Sequence, residues 1–285
     1  MSADDDLEPV PSLTRRQQTG ARSARSLLLT VLGEYVRPGG VPVWTSTLLH
    51  VAAGLNIEEK TARQALNRMA LDGWIGTERV GRRVRWALTA HGTVLLTEGA
   101  ERIYSFGRDR ESWDGRWLVL LVSVPETQRD LRHRLRNSLT WAGLGSPAPG
   151  VWVSPHTTRE AEAKQIVEEL SLQAEAISFC GPFAGVGSER SMVELAWHTG
   201  ELAEAYEDFL LQFAGLSPKS PDEVLYAQIR LVDEWRRFPS LDPQLPPELL
   251  PPQWIGLRAA SVFEDLHQRW NTAAQAHWSE LAAQE

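Results

Sequence analysis

Ile57-Glu-Glu-Lys-Thr-Ala-Arg-Gln-Ala-Leu-Asn-Arg-Met-Ala70 is the stretch on which the reading of the fold turns. Its apolar residues Ala62, Ala65, Leu66 and Met69 recur at three- and four-residue steps, which places them on one face of an α-helix. The opposite face carries Lys60, Thr61, Arg63, Gln64, Asn67 and Arg68. Arginine and lysine can read guanine edges or hold phosphates, and glutamine and asparagine can pair bidentately with adenine. An ordinary solvated helix face has the same composition, so the stripe alone leaves both readings open. Asn56 offers an N-cap, and Glu58 and Glu59 in the first turn suit the helix dipole.

The flanks decide between the two. Upstream, Leu28, Val31, Leu32 and Tyr35 share a helical face that Pro38-Gly39-Gly40 ends, and a short helix follows from Ser46 to Ala53. Downstream, Gly73 stops the helix, and two alternating runs from Trp74 to Leu88 flank Val80-Gly81-Arg82, which reads as a β-hairpin. Three helices and a hairpin in this order predict a winged helix-turn-helix, with Lys60 to Arg68 on its recognition helix. Arg79, Arg82, Arg83 and Arg85 crowd the hairpin. Four guanidinium groups so close repel one another unless an anion is near, and a wing lying along a groove meets phosphates. Stripe and hairpin together favour DNA.

The overall charge of −8 hides this, because it is unevenly distributed. Residues 15–90 hold twelve basic against five acidic residues, a net +7, while residues 1–14 carry −4 and residues 91–285 carry −11. A basic module on an acidic body fits local phosphate binding by a protein whose bulk repels nucleic acid. Residues 1–21, polar and without periodicity, read as a flexible arm. The chain opens Met1-Ser-Ala-Asp-Asp-Asp6 with no apolar signal region, and its longest apolar run, near Trp117–Val122, is too short to span a bilayer. The expected location is cytoplasmic, with no membrane partner.

Beyond the hairpin the pattern changes. Trp117–Val124 reads as a buried strand, Thr127–Trp141 as an arginine-studded amphipathic helix, and Val151–Val153 as a short strand. Arg159–Leu172 reads as a second helix and Ala176–Cys180 as a third strand. This β-α-β-α-β order predicts a ferredoxin-like α+β domain. From Ser188 the chain reads as helical, over Val193–Ala214, Pro221–Phe238 and Gly256–Ala283, with a proline-rich joint from Pro239 to Pro252. The expectation is an α+β multidomain protein: an arm at 1–21, a winged helix-turn-helix at 22–98, a ferredoxin-like centre at 99–187 and an all-helical C-terminal domain at 188–285.

Several spaced motifs resemble those of PaaX-type transcriptional repressors. They are Thr61-Ala-Arg-Gln-Ala-Leu-Asn-Arg-Met69, Gly73-Trp74, Gly81-Arg-Arg83 and Leu88-Thr89 with Gly92. The resemblance continues through Trp113-Asp-Gly-Arg-Trp117, Val124-Pro-Glu126, Gly150-Val-Trp-Val-Ser-Pro155 and Trp235-Arg-Arg-Phe-Pro239 to Trp254, and so covers about residues 22–270, nearly the whole chain. It implies a homodimeric repressor of aromatic-acid catabolism, bound to a palindromic operator and released by an aryl- or acyl-CoA thioester such as phenylacetyl-CoA. Such a ligand brings phosphates, an adenine and an apolar acyl group, so its site needs cations, a stacking surface and a dry pocket. Arg129, Arg132 and Arg136, with Arg134 alongside, lie near Trp141 and Trp152 in sequence, and Trp235, Arg236, Arg237 and Trp254 follow in the helical region. These are the candidate ligand residues, although tryptophans at such spacing equally suit a core.

Catalysis finds no support in the motifs, and neither a cofactor nor a metal is expected. Gly181-Pro-Phe-Ala-Gly-Val-Gly187 lacks the Lys-Ser/Thr ending of a phosphate loop, and Pro182 removes a backbone donor. The seven histidines show no metal spacing, and Cys180 is the only cysteine. The central order is also similar to that of small CRISPR adaptation nucleases, whose first strand ends in a metal-binding aspartate; Ser123 stands at that place here. The competing readings are a ligand-independent scaffold or activator on DNA, and a metal-dependent nuclease-like protein.

Overall fold

A computed structural model describes residues 23–107 and 112–283, so the expected arm at 1–21 lies outside the described residues. The chain runs α1 (Ala24–Val31), β1 (Val43–Trp44), α2 (Thr45–Gly54), α3 (Glu59–Leu71), β2 (Ile75–Val80), β3 (Arg83–Leu88) and α4 (Ala90–Ser105). There follow β4 (Arg116–Val122), α5 (Arg129–Trp141), β5 (Gly145–Ala148), β6 (Val151–Ser154), α6 (Glu160–Glu169) and β7 (Ala176–Pro182). The remaining helices are α7 (Glu189–Trp197), α8 (Thr199–Phe213), α9 (Pro221–Trp235), α10 (Phe238–Leu241) and α11 (Ile255–Ala283). Packing groups these into two units. The first holds residues up to Gly99, Ser220–Asp233 and Ala273 onward; the second holds Ala100–Lys219 and Glu234–Thr272.

In the first unit, Ser23 caps α1 by accepting the Ser26 amide N–H at 3.1 Å. One π-helical turn, Leu32–Val36, prolongs α1 and carries Tyr35 into the core. The three helices close on Leu28, Leu48, Leu66 and Met69, each fully buried. Asn56 is not the N-cap of α3. It sits at φ +63° just after α2, where the Ile57 amide reaches the Ala52 carbonyl at 2.9 Å and its own amide reaches that of Ala53 at 3.0 Å. Asparagine tolerates the left-handed region, so here it ends one helix and does not begin the next. Glu58, in extended conformation, precedes α3. Gly73, at φ +73°, ends α3 in the same way, with the Trp74 amide on the Met69 carbonyl. Strands β2 and β3 pair antiparallel around a two-residue turn whose first position, Gly81, has φ +62°. The two-residue β1, which the sequence pattern did not predict, adds to β3 and completes a sheet in the order β1-β3-β2.

The same core takes in residues from far along the chain. Leu225 and Ile229 of α9 and Ala274 and Trp278 of α11 are buried in it, and Trp278 stacks on Tyr35 at 5.1 Å. Buried Asp233 accepts hydrogen bonds from Ser26 Oγ at 2.7 Å and Thr30 Oγ1 at 3.1 Å, which ties α9 to α1.

The second unit is built on an antiparallel sheet in the order β5-β6-β4-β7. Strand β5 was not anticipated, so the element order is β-α-β-β-α-β. Gly145-Ser-Pro-Ala148 reads as a loop by composition, and proline is tolerated because β5 lies at the sheet edge. Alternation along β4 sorts its side chains. Leu118, Leu120 and Val122, with Trp152, face Leu135 and Leu139 of α5 and Val167 of α6. Trp117 and Val153 point the other way, onto Val193 and Ala196 of α7 and onto Leu245 and Leu249. The helix expected over Val193–Ala214 is two helices: His198 adopts φ +50°, and the Glu194 carboxylate accepts from the Thr199 hydroxyl and from the Gly200 amide at 3.1 Å, satisfying the start of α8.

Candidate nucleic-acid interface

The turn between α2 and α3 fixes which side of α3 meets solvent. Ala62, Leu66 and Met69 are fully buried and Ala65 nearly so, which leaves Lys60, Thr61, Arg63, Gln64, Asn67 and Arg68 exposed on the far face. Arg63 is held by Glu59 one turn earlier, with Nε 2.8 Å from the carboxylate. Lys60, Gln64, Asn67 and Arg68 make no side-chain hydrogen bond or ion pair among the described residues. They are donors and acceptors left to water on a rigid helix. Leu71, 85% exposed, extends the same side at its C-terminal end.

On the hairpin the four arginines divide. Pairing Val80 with Arg83 around the turn sets Glu78 opposite Arg85, and the two form a two-point bridge at 2.9 and 2.7 Å. This hydrogen bonding holds the Glu78 carboxyl below its ordinary value and raises Arg85. Arg83, two residues away and on the same face of β3, lies 4.3 Å over the ring of Trp44, which β1 places opposite Arg85. Part of the self-repulsion expected of this cluster is therefore relieved within the chain, by Glu78 and by an indole face. Arg79 and Arg82 are exposed at and beside the turn and have no carboxylate partner among the described residues. Behind the hairpin, Arg25 is committed inward: it stacks over Trp74 at 4.3 Å and pairs with Asp72 at 2.7 Å. Trp44 and Glu78 were missed from sequence, because runs flanking Val80-Gly81-Arg82 do not set Glu78 across from Arg85; the pairing of Val80 with Arg83 does.

The residues expected to hold a ligand are dispersed through the second unit. Arg129 and Arg136 are exposed on α5 beside exposed Arg134, and Arg132 is half-buried with one guanidinium nitrogen sequestered and unpartnered. Trp141, at the end of α5, is half exposed with Arg102 over its ring at 5.7 Å. Trp152 is buried in the sheet core. Trp235 and Trp254 are buried, with ring centroids 6.4 and 6.1 Å from that of Tyr206, while Arg236 is half-buried and Arg237 pairs with Glu234 at 2.8 Å. Trp235 alone of these lines a cleft of about 720 Å³, whose other walls come from the end of α4 and from α11. Among the described residues no three metal-ligating side chains gather, and no helix is long and apolar enough to cross a membrane.

Three family models match the chain in succession. One described as PaaX-like protein matches residues 23–92, one described as PaaX protein central Cas2-like domain matches 110–193, and one described as PaaX-like protein C-terminal domain matches 197–280. Transcriptional repressor PaaX of Escherichia coli (strain K12) is 30% identical over 269 residues, covering 90% of this chain and 84% of that protein. A solved structure, Uncharacterized protein Rv0674 from Mycobacterium tuberculosis, shares the fold with a TM-score of 0.60 at 21% identity, over 90% of this chain and 98% of that one.

Proposed function

The chain belongs to the PaaX family, and on that premise we propose that it is a DNA-binding transcriptional repressor that reads a palindromic operator as a homodimer. Members of the family are transcriptional regulators and not enzymes. In this reading α2, its turn and α3 form a helix-turn-helix and β2–β3 is the wing. The three-part division at 22–98, 99–187 and 188–285 stands with it, the centre being ferredoxin-like, an assignment supported by the β-α-β-β-α-β order and the antiparallel sheet. One recognition helix reads a half-site, so two-fold symmetry in the protein matches two-fold symmetry in the operator. The place of action is the cytoplasm.

The observation that carries this reading is the exposed, unpartnered set Lys60, Gln64, Asn67 and Arg68 on α3. Burial of the opposite face fixes the side of α3 from which they project, so the helix itself needs no reordering, while each long side chain that DNA immobilises costs about 0.5–1.5 kcal/mol. Arg79 and Arg82 supply phosphate contacts from the wing. Arg63, Thr61, Arg83 and Arg85 complete the surface, with Arg85 acting through its bridge to Glu78.

The repressor is released by an aryl- or acyl-CoA thioester such as phenylacetyl-CoA, whose phosphates suit the α5 arginines Arg129, Arg132 and Arg136 and whose adenine suits the exposed ring of Trp141. Gel shifts on the DNA upstream of its own gene test both parts. Wild-type protein should retard that DNA, phenylacetyl-CoA should release it, and Gln64→Ala with Asn67→Ala and Arg68→Ala should abolish specific retardation. Equal retardation by the triple variant sinks the assignment of α3, and retardation indifferent to every acyl-CoA favours a ligand-independent scaffold.

A further inference from the structure

Leu71, the last residue of α3, is 85% exposed, more than any other large apolar residue among those described in the first unit. Single exposed apolar side chains are ordinary on proteins, so the figure alone assigns nothing. Its place on the helix does. Leu71 stands nine residues after fully buried Ala62, about two and a half turns, and so lies opposite the side that faces the core. Lys60, Gln64, Asn67 and Leu71 follow one another at steps of four, three and four, which stacks them in one line along successive turns. The first three are exposed polar side chains with no hydrogen bond or ion pair among the described residues. The fourth can neither donate nor accept.

The end of α3 that carries it is fastened. Asp72 pairs with Arg25 of α1 at 2.7 Å, and past Gly73 the Trp74 amide returns to the Met69 carbonyl at 3.0 Å. Leu71 is therefore presented from a closed turn and not from a fraying end. Packing within the chain gains almost nothing from so exposed a side chain, and helix propensity does not ask for leucine, since alanine is at least as favourable. A helix lying in the major groove of DNA meets the donors and acceptors of the base edges and one apolar group, the C5-methyl of thymine. The line on α3 offers the matching chemistry, three polar side chains and then an apolar one.

We propose that Leu71 reads thymine: its side chain packs on a C5-methyl in the major groove and excludes water there, which makes it a specificity-determining residue at an A·T pair. The assignment rests on the reading of α3 as the recognition helix. Asn67 lies one turn earlier, about 6 Å along the axis, or about two base-pair steps of 3.4 Å. An amide side chain on an adenine edge and Leu71 on a thymine methyl together select neighbouring A·T pairs. A G·C pair at the same place would set the leucine against guanine acceptors or the cytosine amino group, and would strip them of water without giving a partner.

Gel shifts on the DNA upstream of the protein's own gene, copied once with thymidine and once with deoxyuridine, test this, because the exchange removes only methyl groups and leaves every base pair. Wild type should bind the thymidine fragment at least about fourfold more tightly, the worth of one methyl withdrawn from water. Leu71→Ala should bind that fragment about fourfold more weakly than wild type and should lose about fourfold of the thymidine preference. Val94→Ala, at another exposed apolar position of the same unit, should keep the preference in full. The melting temperature of Leu71→Ala should not fall, since the side chain is buried against nothing. An equal thymidine preference in wild type and Leu71→Ala, or none in wild type, overturns the proposal while retardation itself supports the regulator reading. A preference that persists in Leu71→Ala beside a changed sedimentation coefficient assigns the leucine to contact between copies, and overturns it as well. If wild type retards neither fragment, the regulator reading fails and the proposal falls with it.

Discussion

Replacing Gly92 by alanine sets two effects of opposite sign against each other. Gly92 lies in the first turn of α4, where glycine is a poor helix former, so propensity alone gives alanine an advantage of about 0.5–1 kcal/mol. The surroundings oppose it. A Cβ built on Gly92 would stand 1.9 Å from the carbonyl oxygen of Trp74 and 2.8 Å from its carbonyl carbon. Backbone must therefore retreat by more than 1 Å, and this backbone is anchored: the Trp74 carbonyl accepts the Thr89 amide at 3.1 Å, and Thr89 Oγ1 reaches the Gly73 carbonyl at 2.6 Å. Thr89 also caps α4 by accepting the Gly92 amide at 3.0 Å, so the displacement strains the cap as well. Overpacking costs about 1–3 kcal/mol and a disturbed cap about 1 kcal/mol, which together outweigh propensity and leave a net loss of about 1–3 kcal/mol. In a chain of this size that lowers the melting temperature by roughly 2–10 °C. Gly99→Ala is the internal control, on the same helix but with nothing within 4 Å of the added Cβ. It should raise the melting temperature by roughly 1–4 °C. Thermal denaturation followed by circular dichroism reads both variants. A Gly92→Ala protein as stable as Gly99→Ala would refute the close approach of α4 to the start of β2.

Other consequences are measurable. Asn67→Ala should reduce affinity for operator DNA more than for random DNA, whereas Arg82→Ala at the hairpin tip should weaken both alike and lower the salt slope by about one, as read by gel shifts over a range of salt. Hydrogen bonds from Thr199 and then Gly200 hold the Glu194 carboxyl below its ordinary value of 4.5. That stabilisation is complete above the ordinary value and disappears as pH falls through the depressed one, so the melting-temperature gap between wild type and Thr199→Val should close on acidification. A gap constant with pH would mean that the carboxylate is not the acceptor. Burial, followed by the nearby Glu160 charge, pushes the Cys180 thiol up. Its alkylation by iodoacetamide at pH 8 should lag behind that of glutathione, and an equal rate would contradict its half-buried setting.

What could be read from the sequence was what repeats. The apolar step in α3 and the alternation around Gly81 each extend over enough residues to set a period, and the structure has the helix and the hairpin there. Signals that do not repeat were lost. Two residues, Val43 and Trp44, are too few to show alternation, yet as β1 they set an indole beneath Arg83. Asn56 carries the chemistry of a cap at either end of a helix, and only backbone torsion shows that it closes α2. Spacing told that Trp235 and Trp254 are apolar, but not that both indole N–H groups would be buried without a partner among the described residues. A stripe on α11 was present in the pattern, since Phe263, Glu264, His267, Gln268 and Asn271 share a face. What it faces is decided by residues about 160 positions earlier, such as Tyr104, and no local period encodes that distance.

The burial of Trp278 against Tyr35, and of Leu225 and Ile229 beneath α1, has a bearing on synthesis. The earliest helices leave the ribosome with part of their apolar surface uncovered, and with Ser26 and Thr30 lacking the carboxylate that will later receive them. Closure waits until Ala274 and Trp278 have been translated. A polypeptide cut short before Leu225 would thus carry the arginines of the hairpin on a core that lacks Leu225, Ile229, Ala274 and Trp278.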